Sequence, residues 1–129
     1  MLFGKPEKRS TSKARKKRKA AAVIQTVREQ CVDRDGYCRL SGVARFAPCD
    51  GPSEWMHLGD HRRSNTRGMD PEERHRRDKS LMGCRRHHGL YDGRQLVNGQ
   101  RLQIDEITDR GADGPLRFTL DGHVYEETR

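Results

Sequence analysis

One pentapeptide, Cys84-Arg85-Arg86-His87-His88, limits what this chain can build more than any other stretch. It sets a cysteine and a histidine three positions apart, where side chains of one helical turn share a face, and adds a second histidine directly after. Five of the six histidines fall between His57 and His88. Thiolates and neutral imidazoles are the ligands that zinc takes in tetrahedral sets of four. Cys84 and His87 can supply two of them from one turn. Cys38 and Cys49, on the loop-rich segment upstream, are candidates for the other two, and Cys31, on an apolar helical stripe, is a weaker one. All four cysteines can equally be small buried apolar residues. A structural zinc fits the composition: of 129 residues only 31% are hydrophobic and 36% are charged, so the apolar core is small. Small cores commonly need a metal or a partner as a staple.

Charge is unevenly placed along the chain. Residues 1–20 hold nine basic residues against Glu7, while the remainder holds 18 basic and 18 acidic residues and is formally neutral. The basicity therefore belongs to an N-terminal arm, residues 1–19, whose charged and Ser/Thr-bearing composition predicts disorder. Such an arm reads as a polyanion-binding segment, DNA being the foremost partner, with Lys16, Lys17, Arg18 and Lys19 as contacts. The competing reading is a solvated tail. The longest apolar run, 20–24, is far too short to span a membrane. No apolar segment follows the N-terminal charges as it does in a secretory signal. The expectation is a cytoplasmic protein with no membrane partner, whose cysteines are metal ligands or thiols rather than disulfides.

Periodicity predicts a small α+β domain. Val23, Val27 and Cys31 recur at helical spacing, and Asp35-Gly36 supplies a stop. Short strands are expected at 37–40, 43–46 and 55–58, with 59–69 a loop. Asp70-Pro71-Glu72-Glu73 reads as a helix start, and that helix is expected over 71–78. A further helix is expected from the Cys84 region to Asp92-Gly93. Asn98-Gly99 and Asp121-Gly122 each favour a two-residue hairpin turn. The resulting division is an arm (1–19), a core with a zinc knuckle (20–93) and a C-terminal β-hairpin extension (94–129).

Arg34-Asp35-Gly36-Tyr37-Cys38, a His-bearing strand, Arg and Ser within a loop, and Leu81-Met82-Gly83-Cys84-Arg85-Arg86-His87-His88 together resemble the HNH family of endonucleases. The likeness is to its small phage-associated members and covers about residues 27–92. It implies a ββα-metal core with an N-terminal helix and C-terminal hairpins. It also implies a catalytic divalent ion (Mg²⁺, Mn²⁺, Ni²⁺ or Zn²⁺), commonly a structural Zn²⁺, and hydrolysis of DNA to 5′-phosphate and 3′-hydroxyl ends. Service to a larger phage or DNA-processing machine follows from the same likeness.

Carried over by position, the resemblance makes His57 the general base and His88 a ligand of the catalytic metal. It places Cys38, Cys84 and His87 in the zinc knuckle. Met56 stands where the family usually has a ligand before the base, and 78–80 lack the family's asparagine. Asp60-His61 is a second ligand–base pair, and Asp60 is a candidate metal ligand in either alignment. Asp92, four residues after His88, is a ligand or an orienting group. His75 reads as a solvated helix-surface residue, Trp55 as core and His123 as surface.

The chemistry asks for these residue types whatever the name. An imidazole can take a proton from water at neutral pH. A divalent ion stabilises the leaving oxygen, and guanidinium groups hold phosphate oxygens. Arg62, Arg63, Arg67, Arg85 and Arg86 flank the histidines and are candidate backbone contacts. The alternative function is a non-catalytic zinc-binding module that binds nucleic acid.

Overall fold

The computed structural model describes residues 12–62 and 66–128, without the side chain of Asp60. The first helix, α1, runs Ser12–Asp35, 24 residues with no glycine or proline among them. It ends where Gly36 turns left-handed (φ 71°) and returns its N–H to the Val32 carbonyl at 2.8 Å. Cys31 is buried, and Val23 and Val27 are half-buried on the same stripe. Residues 12–19 of the arm expected to be disordered are therefore helical. Their like charges repel by only a few tenths of a kcal/mol per pair, and extending a docked helix needs no new nucleus. Lys16, Lys17, Arg18 and Lys19 are exposed, and Lys19 reaches Glu72 at 3.2 Å.

The strands expected at 37–40 and 43–46 do not form. A 3-10 turn, Arg39–Val43, takes their place and carries Leu40 and Val43 into the core together. Positions three apart eclipse in such a turn, so it buries both residues that an extended strand would have separated.

The site is built on a contiguous unit. Strand β1 (Ser53–His57) pairs antiparallel with β2 (Ser80–Cys84), Ser53 opposite Cys84 and His57 opposite Ser80. Between them lies a 3-10 turn, Gly59–His61, and a short helix α2, Pro71–Arg74. The expected helix over 71–78 stops early. His75 leaves helical geometry (φ −105°, ψ 61°), and a second 3-10 turn, Arg77–Lys79, leads into β2. Strand β2 is buried along its whole length and passes directly into α3, Arg85–Asp92. The Cys84 sulfur caps α3 by accepting the His87 N–H at 3.4 Å, and Gly93 (φ 86°) ends it.

The C-terminal part is a meander of β3 (Gln103–Glu106), β4 (Leu116–Leu120) and β5 (His123–Glu126), in the order β3-β4-β5. The expected Asp121-Gly122 turn joins β4 to β5. The expected Asn98-Gly99 hairpin shrinks to one bridge, Val97 opposite Gln100, and β3 pairs with β4 instead. The apolar alternation decides this: Leu116, Phe118 and Leu120 are all buried, whereas Leu96 is exposed. Phe118, Leu116 and Leu102 share one cluster with Leu40, Met56, Leu81 and Leu90, so the extension and the ββα unit have a common core.

A charged network ties these parts together. Asp35 and Arg39 are both fully buried side chains, 3.5 Å apart. Arg39 donates to both Glu127 oxygens and to the carbonyls of Ala112 and Gly114. Asp35 accepts from Arg34 at 2.7 and 2.8 Å and from the Met82 N–H at 3.0 Å. Removing one partner of such a network strands a buried charge, at a cost of about 3–5 kcal/mol. Arg39→Leu is expected to lose that much in urea unfolding monitored by circular dichroism. A loss below about 1 kcal/mol would show that the network carries little of the fold.

Candidate functional site

Two clusters of ligand-type side chains flank α3. In the first, the ligand atoms of Cys38, Cys49, Cys84 and His87 all lie within 4.8 Å of one another. The extended residue before the Arg39–Val43 turn is Cys38, the loop before β1 brings Cys49, and the β2–α3 junction brings Cys84 and His87. The His87 Nδ1 lies 3.3 Å from the Cys38 sulfur and 3.8 Å from that of Cys49. Zinc–sulfur and zinc–nitrogen bonds of tetrahedral geometry place neighbouring donors about 3.4–3.8 Å apart, so the spacing fits a metal ion such as zinc.

The tautomer fits as well. His87 Nε2 lies 2.6 Å from the Ala47 carbonyl, so Nε2 carries the proton and Nδ1 offers its lone pair to the cluster. Burial pushes the Cys38 thiol up to about 12, and burial raises Cys49 too. A cation is what such thiols need in order to ionise. Cys31 stands apart, with its sulfur 3.4 Å from the Ser80 hydroxyl.

The second cluster is of histidines and carboxylates. His57, at the end of β1, places Nε2 2.9 Å from His75 Nδ1. His75 is only 6% exposed, so it is not the solvated surface residue expected from a longer helix. Trp55, two positions before His57, lies against both rings, at 4.4 Å and 5.3 Å between centroids. Burial lowers the His57 pKa to about 4, helped by the charges of His75, Arg74, His61 and His88. Burial and then Arg74 lower His75 in the same direction. Two neutral imidazoles can share one N–H···N bond, whereas two protonated ones cannot.

On α3, His88 Nδ1 lies 2.9 Å from Glu54 Oε1, and its Nε2 lies 3.4 Å from Asp92 Oδ2. Burial works to raise Glu54, but hydrogen bonds from His88 and Arg85 outweigh it and hold its carboxyl below the usual range. The carboxylate on Nδ1 orients the ring. Nε2 and the Asp92 carboxylate then form a pair of donors able to hold a divalent cation.

The other candidates are dispersed. His61 is buried, with Nε2 3.3 Å from Glu73 Oε1, so its ring is engaged on α2 rather than with His57. Asp60 lies in the 3-10 turn, and its side chain, like Arg63 and the first eleven residues, is outside the described residues. Arg67 and Arg85 are exposed, Arg85 pairing with Glu54 at 3.0 Å. Arg86 is half-buried, and Arg62 lies 5.3 Å over the Tyr91 ring. Met56 is fully buried in the core and offers the site nothing. Glu54 and His75 are the residues that sequence reasoning missed. Neither carried a local signal: Glu54 meets His88 34 positions on in the chain, and His75 meets His57 18 positions back. No family model, curated protein or solved structure matches this chain. Among the described residues, no helix is long and apolar enough to cross a membrane.

Metal binding here must displace thiol protons, so affinity should fall as pH falls. The chain is expected to hold one zinc tightly, and Co²⁺ substitution should give thiolate charge-transfer absorption. Cys38→Ser or Cys49→Ser should weaken the metal by orders of magnitude, and Cys31→Ser should leave the stoichiometry at one. Retention of zinc by Cys49→Ser in the presence of a chelator would rule out this ligand set.

His57 gives a pH prediction. The unfolded imidazole takes up its proton near its ordinary value of about 6.5, whereas the folded one does so near 4. Stability from this residue is therefore complete above pH 6.5 and lost as pH falls toward 4. His57→Gln should shrink the drop in urea midpoint between pH 7 and pH 5. An equal drop in both proteins would contradict the shift.

Proposed function

We propose that the protein is a metal-dependent endonuclease that hydrolyses DNA phosphodiesters with little sequence selectivity. One observation carries the reading: in a single β1-β2-α3 unit, a neutral histidine ends the first strand, and a carboxylate-oriented histidine, His88, lies on the helix. His57 serves as the general base. His75, bonded to one ring nitrogen, holds the ring in place and leaves the other nitrogen to face water. An imidazole that is neutral at pH 7 has a free lone pair for the water proton, although burial makes this one a weaker base than a free imidazole.

The water oxygen bonds to phosphorus as the P–O3′ bond breaks, and one water proton passes to His57. The 3′ oxygen leaves with the bonding electrons and is then protonated by solvent, giving 5′-phosphate and 3′-hydroxyl ends. His88 and Asp92, with Asp60 a further candidate, would hold the divalent ion, which supplies a Lewis acid for the leaving oxygen. The Cys38, Cys49, Cys84 and His87 cluster serves a structural zinc. Lys13, Arg15, Lys16, Lys17, Arg18 and Lys19, exposed along α1, supply charge for the phosphate backbone rather than base readout.

A second reading, a zinc-binding module without catalysis, is favoured by Met56. Its burial in the core leaves the strand position before His57 with no ligand.

Supercoiled plasmid with Mg²⁺, Mn²⁺, Ni²⁺ or Zn²⁺, against EDTA, separates the two. The nuclease is expected to nick or linearise it, His57→Ala and His88→Ala each losing about 10²–10⁴-fold in rate. His61→Ala should keep most of the activity. Retained DNA binding and zinc with no cleavage in any metal would leave the binding module.

A further inference from the structure

Arg74 closes α2 and directly precedes His75, the partner of His57. Its side chain is half-buried, and its Nε is shut away from solvent with no acceptor. Of the acidic residues around it, Glu73 is engaged with His61 and Arg76, Glu72 with Lys19, and Asp78 with Arg76. Neighbouring guanidiniums are neutralised, Arg77 by Asp113 at 2.8 Å and Arg85 by Glu54 at 3.0 Å. Among the described residues Arg74 has no such partner. It directly precedes His75 in the chain, and its charge works with burial to keep His75 and His57 neutral.

Arg62, which follows His61 in the chain and lies over the Tyr91 ring, shares one feature with Arg74. Its Nε is also buried without an acceptor. A buried donor left unpaired costs the fold free energy and calls for a partner such as a bound ion. The planar guanidinium matches a phosphate group, to which it can donate two hydrogen bonds at once.

We propose that Arg74 is an anion-binding residue that seats a phosphate, as a monoester or within a diester, next to His57. Its biological ligand, the reacting phosphate of DNA, rests on the nuclease reading, whereas the anion site does not. Arg74 thereby acts on the substrate directly, holding the non-bridging oxygens while His57 faces the water.

The test is an NMR titration of the zinc-loaded full chain with inorganic phosphate, following the His57 and His75 ring resonances, alongside plasmid cleavage. Both rings should shift saturably. Arg74→Gln should weaken binding about tenfold or more, Arg74→Lys should keep part of it, and Arg28→Gln, on the exposed face of α1, should not matter. In cleavage, Arg74→Gln should lose about 100-fold in kcat/KM. Rings unmoved by phosphate in the native chain, or moved equally in Arg74→Gln and native protein, overturn the proposal. So does cleavage by Arg74→Gln within about twofold of native, which leaves the nuclease standing. A phosphate shift that depends on Arg74, with no cleavage by any protein, keeps the anion site and removes the nuclease.

Discussion

The architecture hangs on two charges taken out of water. Asp35 ends α1 and Arg39 opens the next turn of the chain, and neither side chain touches solvent. Such a pair is tolerable only when every remaining donor and acceptor is used, and the rest of the chain is arranged to use them. Asp35 reaches the backbone of β2 through the Met82 N–H, and Arg39 reaches Ala112, Gly114 and Glu127 in the C-terminal third. The helix, the central hairpin and the meander are thereby fixed to one point. Cys38 directly precedes the turn that begins at Arg39, so the charged network and the candidate metal site depend on the same few residues.

The candidate site has an unusual electrical character. His57 and His75 are held neutral by burial and by the cations around them, while the carboxylates nearby are committed to particular nitrogens. Glu54 and Asp92 bracket His88, and Glu73 takes His61. A chain that is formally neutral beyond its arm thus divides its charge locally. Glu54 and Asp92 hold His88, while the charge of Arg74 weighs on His57.

The sequence made the Cys and His cluster legible because its signal is local. Three positions separate Cys84 from His87, and a helix starting there must bring them together; Cys38 and Cys49 then complete the set of four. The Val23, Val27 and Cys31 stripe of α1 and the buried alternation of Leu116, Phe118 and Leu120 were readable for the same reason, since one repeat states one face; the first turns of α1, which carry no such repeat, were not. The features that could not be read depend on partners distant in the chain. His75 looked solvated because a helix continued to 78 would have turned it outward, yet α2 stops at Arg74 and the ring swings under Trp55 to His57. The pairing of β3 with β4, in place of the strand before Asn98-Gly99, is settled by which apolar residues find the shared core.

Consecutive histidines on α3 face different chemistries, His87 toward three thiols and His88 toward two carboxylates. Each residue added to a helix rotates the remainder of that helix by about 100°. The stretch from Cys84 to Asp92 therefore behaves like the cut of a key. Inserting or deleting a single residue between Cys84 and His87 would turn both histidines about 100° from their present partners and leave both ligand sets incomplete at once. The length of this segment, more than its composition, is what the molecule has to preserve.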